Sequence, residues 1–124
     1  MEKNYPEYRR HLNHLAGRLG AELKGPVSGF GQLHREALAE GALDSKTKEL
    51  MALAISVASR CRGCIAYQVH DALKAGATRQ EVLETIGVAI FMGGGPSMVY
   101  GCEALDALEQ FEAAESGKAQ TKET

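Results

Sequence analysis

Tryptophan is absent from this 124-residue chain, and aromatic residues make up only 6% of it. Large rings supply much of the buried area in an ordinary core. A core must therefore be assembled here from aliphatic and small side chains, and its completion is expected to require homo-oligomerisation. No charge of one sign dominates, because 14 basic and 16 acidic residues are interspersed and leave a net charge of −2. That balance offers no basic stripe to a phosphate backbone and argues against nucleic acid as a partner. No apolar run approaches the roughly 20 residues that span a bilayer; the longest apolar-rich stretch is Leu50 to Ala58, so no membrane partner is expected. The charged segment Met1 to Arg10 lacks the apolar centre of a secretory signal, and a cytoplasmic protein is expected. Cysteine is scarce too. Three cysteines in a cytoplasmic chain do not make a structural disulfide framework and point to reactive, metal-binding or merely buried thiols.

What is present is helical periodicity almost throughout, with no sustained alternation of the kind strands show. The length and composition fit one all-α domain over residues 1–115, followed by a polar, disordered tail over residues 116–124. Tyr8, Leu12, Leu15 and Leu19 mark one face of a first helix that Gly25-Pro26 breaks. A short second helix runs from about Val27 to Glu40. The third begins near Ser45, and its segment Leu50 to Ala58 is apolar nearly all round, which predicts burial on every side. The fourth runs from about Cys61 to Ala75 and stops at Gly76, and Thr78-Arg-Gln-Glu81 is a capping box that opens the fifth. Gly93-Gly94-Gly95 ends the fifth. Pro96 suits the first turn of a sixth helix, with Met98, Val99, Cys102, Leu105, Leu108 and Phe111 at core spacing. Many helical positions are Ala or Gly, so helices can approach closely.

The chemistry centres on Cys61-Arg62-Gly63-Cys64. Two thiols one helical turn apart at a helix start can close a short disulfide, and the free amides of that helix end favour a thiolate. Arg62 adds positive charge beside Cys61. With about 100° of rotation per residue, Tyr67 and Gln68 share a face with Cys64 and can hydrogen-bond its sulfur, whereas His70 is turned away from both thiols. Glu49 opens the apolar third helix, where a carboxylate is costly unless paired. It can approach the thiols only across the bundle or from a neighbouring subunit. Packing explains Cys102, at core spacing with no second cysteine nearby. His11, His14 and His34 fall at scattered polar positions and suggest no site. A zinc site from Cys61, Cys64 and His70 supplies too few ligands, so no metal and no cofactor are expected. Met92-Gly-Gly-Gly-Pro96 lacks the strand, lysine and hydroxyl of a phosphate loop and reads as a helix junction.

Glu49, Cys61-x-x-Cys64-Ile65, Ala72-x-x-Ala75-Gly76-Ala77-Thr78-x-x-Glu81 and Met92-Gly-Gly-Gly-Pro96, in this order, resemble the carboxymuconolactone decarboxylase family, in its alkyl hydroperoxidase D-like branch. The resemblance spans roughly Leu43 to Phe111. It implies a helical bundle of about six helices that assembles into trimers or hexamers, and a thiol-dependent hydroperoxidase or disulfide oxidoreductase of antioxidant type. By position it implies Cys64 as the peroxide-attacking thiol, Cys61 as the resolving thiol and Glu49 as a relay glutamate. The relay histidine of that branch falls at residue 68, here Gln68, and the histidine that often stands between the cysteines is here Gly63. Glutamine cannot transfer a proton as imidazole does, so a slower peroxidase is expected unless Tyr67, His70 or another subunit compensates. The implied partners are a hydroperoxide and a dithiol reductant such as a lipoyl or thioredoxin-like protein. Two alternatives stand beside this reading: a lactone decarboxylase, which needs no cysteine pair, and a non-enzymatic oligomer whose assembly responds to its disulfide.

Overall fold

The computed structural model describes the backbone of residues 4–123 and the side chains as far as residue 117. The chain folds into helices α1 (Tyr5–Glu22), α2 (Lys24–Leu38), α3 (Ser45–Ala58), α4 (Arg62–Lys74), α5 (Arg79–Gly93) and α6 (Gly95–Glu123), with no strand among the described residues. The expected disordered tail concerns residues whose side chains lie mostly outside the described ones.

Local chemistry sets most of these boundaries. Asn4 caps α1 by accepting from the Glu7 amide at 3.0 Å, and Asp44 caps α3 by accepting from the Thr47 amide at 2.8 Å. Thr78 and Glu81 form the reciprocal capping box of α5. Gly76, at φ +99°, ends α4 in a left-handed turn in which the Ala77 amide donates to Ala72 O and the Gly76 amide to Leu73 O. The same motif ends α3 without a glycine. Arg60 takes φ 59°, its amide donates to Val57 O, and the Cys61 amide donates to Ser56 O at 3.1 Å. The break after α1 falls at Leu23, two residues before the expected Gly25-Pro26. Pro26 is held inside the first turn of α2, where its missing N–H is one of the amides a helix start leaves unpaired.

Helices α3 to α6 pack as neighbours around Leu53, Val57, Ile65, Val69, Val82, Ile86 and Leu108, with alanines 66, 72, 89, 104 and 107 filling the narrow gaps between them. Helix α1 lies against α4 and α6 and inserts the fully buried Tyr5. Gly63 allows this approach, because a Cβ there would come within 3.1 Å of Leu12 Cδ1. Helix α2 touches α1 and α3 and buries no residue of its own.

Three expectations about faces are corrected. α3 is buried on one side only, with Ile55 65% exposed and Met51 also in solvent. On α1, Leu15 and Leu19 are exposed. On α6 the inward stripe is Ser97, Ala104, Ala107, Leu108 and Phe111, whereas Met98, Val99 and Leu105 face solvent and Cys102 is an exposed free thiol rather than a core residue. The physical reason is the same in each case. Each helix buries one face against its neighbours, and the apolar side chains on its remaining face are covered by no other helix of the single chain.

Candidate functional site

The short α3–α4 connection fixes Cys61 at two points. Its amide is tied to the end of α3 through Ser56 O, and its sulfur caps α4 by accepting from the Cys64 amide at 3.2 Å. Cys64 occupies the first turn of α4, and the two residues are joined as a disulfide with a Cα–Cα separation of 5.2 Å. Cys64 is exposed and Cys61 half-buried. A first-turn thiol sees the unpaired amides and the positive end of the helix dipole, both of which favour its ionised form.

These cysteines open onto a cleft of about 470 Å³. One wall is the face of α4 that carries Cys64, Tyr67, Gln68 and Asp71, spaced i, i+3, i+4 and i+7 as a single helical face requires. Ala16 of α1 and Phe30 and His34 of α2 complete the lining. Apart from the sulfurs, the polar groups available there are few: one phenol, one amide, one carboxylate and one imidazole.

Tyr67 donates its hydroxyl to Asn13 Oδ1 at 2.7 Å, and the Arg9 guanidinium lies 5.7 Å from its ring centroid. Burial pushes the Tyr67 hydroxyl pKa up. Gln68 is half-buried, and its Oε1 is shielded from solvent with no hydrogen-bond partner among the described residues. Asp71 approaches His70 Nδ1 at 2.8 Å.

Glu49 does not line the cysteine cleft. With Asp71, Lys74 and Ala75 it borders a separate recess, so that Asp71 belongs to both. Its carboxyl pKa is raised, first by burial and then by the neighbouring Asp71 charge, while His34 acts in the opposite direction. Its Oε1 has no hydrogen-bond partner among the described residues. His70 packs edge-on against Phe111 and lines a third recess with Leu73, Lys74 and Glu115, away from the sulfurs. Arg62 also points elsewhere. It donates to Glu103 Oε2 at 3.1 Å and lies over the Tyr100 ring, and Glu103 in turn accepts from the buried Tyr5 hydroxyl. The Arg62 charge is thereby committed to a structural network rather than to the sulfurs it flanks in sequence.

Phe30 and Asp71 are cleft residues that sequence reasoning passed over, and His34 is one that it set aside as a scattered polar histidine with no site. Phe30 and His34 stand one turn apart on one face of α2, a weak signal that becomes a cleft lining only through the tertiary placement of α2. No helix among the described residues is long and apolar enough to cross a membrane.

The comparisons with known proteins place the fold in a family. The model of the carboxymuconolactone decarboxylase family matches residues 27–107. A carboxymuconolactone decarboxylase family protein of Legionella pneumophila has a crystal structure that aligns with 89% of this chain and 98% of its own, at 41% identity and a TM-score of 0.84. A second family member, from Thermotoga maritima, whose structure is described with a suggested involvement in an antioxidative response, aligns with 74% of this chain and 95% of its own, at 32% identity and a TM-score of 0.70. An uncharacterized protein of Cupriavidus necator is 34% identical over 94 residues, which is 76% of this chain and 83% of that protein.

Proposed function

Because the chain belongs to the carboxymuconolactone decarboxylase family, we propose that it is a thiol-dependent hydroperoxidase of the alkyl hydroperoxidase D-like kind. The observation that carries the proposal is the Cys61–Cys64 pair at the start of α4, joined as a disulfide and opening onto an apolar cleft. Cys64, exposed in the first helical turn, attacks the terminal oxygen of a hydroperoxide. The O–O bond breaks, an alcohol leaves and Cys64 becomes a sulfenic acid. Cys61, already within bonding distance, then displaces water from that sulfur and closes the disulfide. A dithiol reductant, of lipoyl or thioredoxin-like type, reopens it by exchange. Phe30, Ala16 and the Tyr67 ring offer apolar contact to the organic part of the substrate. Gln68 lines the same cleft and offers its amide as a polar group beside Cys64. Glu49 acts at one remove, through the charges of Asp71 and His34. The antioxidant description of the Thermotoga maritima relative supports the same assignment.

The active form is a homo-oligomer, a trimer or hexamer. Phe91 at 82% exposure, together with Met92, Val88, Ile55, Met98 and Val99, leaves α3, α5 and α6 with large apolar side chains that one copy does not cover.

The test is to add one equivalent of an organic hydroperoxide to the reduced protein and follow the thiols by site-resolved mass spectrometry, with C61S and C64S as controls. The proposal expects a rapid Cys61–Cys64 disulfide in the native chain and a trapped sulfenic acid on Cys64 in C61S. Thiols that stay reduced would refute it and turn attention to lactone decarboxylation or to a non-enzymatic, redox-responsive assembly.

A further inference from the structure

A thiol with the ordinary pKa of about 8.5 keeps its proton at neutral pH unless a neighbour takes it or stabilises the thiolate. The amide of Gln68, one turn along α4 from Cys64, cannot take it. Among the described residues lining the cleft, the side chains able to exchange a proton are Tyr67, Asp71 and His34, beside the sulfurs themselves. Tyr67 spends its hydroxyl proton on Asn13. Asp71 is engaged by His70, and a carboxylate is in general a far weaker base than a thiolate. Imidazole alone is matched to this exchange near neutrality. His34 comes from α2 on the same face as Phe30, is exposed and thus free to turn within the cleft, and has the Glu49 carboxyl close enough to feel its charge.

We propose that His34 accepts the proton of the Cys64 thiol and holds the resulting thiolate as an imidazolium–thiolate pair across the cleft. The proposal rests on the hydroperoxidase reading and supplies the proton path that Gln68 withholds. The Cys64 S–H bond breaks and its proton passes to the imidazole. The thiolate then attacks the hydroperoxide and the O–O bond opens. The departing alkoxide recovers the proton from His34, so that one thiol and one hydroperoxide yield a sulfenic acid and an alcohol. The titratable groups facing His34 are Glu49 from α3 and Cys61, Cys64, Tyr67 and Asp71 from α4; α1 lines the cleft with Ala16, which does not titrate.

The experiment compares the native chain with H34A in two assays: site-resolved alkylation of Cys64 by iodoacetamide across pH, and disulfide formation with an organic hydroperoxide. H34A should lose about tenfold in neutral-pH alkylation of Cys64. It should lose about 100-fold in disulfide formation. Added imidazole, or Gln68→His introduced into H34A, should restore both rates, which a merely structural defect would not allow. Equal alkylation and equal oxidation in H34A would overturn the role of His34 while leaving the hydroperoxidase reading intact. Alkylation that depends on His34 in a native chain indifferent to hydroperoxide would support the thiol–imidazole pair and overturn the hydroperoxidase reading instead.

Discussion

Reducing the Cys61–Cys64 bond sets two effects of opposite sign against each other. The bond joins residues three apart in sequence and so closes one of the smallest loops a disulfide can close. Even so short a loop removes chain entropy worth about 2 kcal/mol from the unfolded state, which favours the oxidised protein. Reduction frees Cys64 in the first turn of α4, where an exposed negative charge gains about 0.3–1 kcal/mol from the amides and the helix dipole. The loop term is the larger, and the oxidised form should be more stable by about 1–1.7 kcal/mol. Unfolding entropy scales with chain length, and for a chain of this size about 1 kcal/mol corresponds to about 4 °C. The oxidised protein should therefore melt about 4–7 °C above the reduced one. The assay is thermal unfolding by circular dichroism with and without a phosphine reductant, at one fixed protein concentration because assembly shifts apparent stability. A C61S/C64S double variant should be insensitive to the reductant. In acid, where the thiol is protonated, the gap should widen toward the full loop term, and in H34A it should widen at neutral pH for the same reason. A reduced protein that melts at or above the oxidised one would refute this reasoning, because the thiolate would then be held more strongly than a surface helix end can hold it.

Arg60 and Gly76 occupy equivalent left-handed positions at two helix ends. Arg60→Gly should stabilise and Gly76→Ala destabilise the fold, each by about 1 kcal/mol, as read from urea midpoints. Leu53 is fully buried, and Leu53→Ala should cost about 2–5 kcal/mol in the same assay. The raised Glu49 pKa means that the folded state keeps a proton the unfolded chain has already released. The contribution of Glu49 to stability is therefore intact below its ordinary value of 4.5 and is lost as pH rises through the higher folded value. Relative to the native chain, Glu49→Gln should gain stability as pH rises across that window, and an unchanged difference would contradict the buried placement of this carboxyl.

Helix ends were legible because they are local. Asp44, the Thr78–Glu81 box and Gly76 each place their signal within a few residues of the boundary they set. Faces were less so. Helical spacing on α6 puts Met98, Val99, Cys102, Leu105, Leu108 and Phe111 at core positions, and the fold buries Leu108 and Phe111 of these, with Ala104 and Ala107 beside them in place of the other four. Alanine rather than methionine fits where backbones nearly touch. That choice depends on interhelical distance, which no single helix encodes.

The site divides along the same line. The relation of Cys61, Cys64, Tyr67 and Gln68 follows from helical rotation within one element, and the cleft presents them as that rotation requires. Arg62 lies inside the motif, yet its charge is drawn off by Glu103, 41 residues away. His34 is remote from the motif in sequence and still stands in the cleft. A charge adjacent in sequence is therefore poor evidence that it acts on a thiol, since a helix start points successive side chains in different directions and long-range partners compete for each. The absence of a histidine at position 68 likewise says little about whether an imidazole reaches Cys64, because the opposite wall of the cleft is built by an element that the motif does not contain.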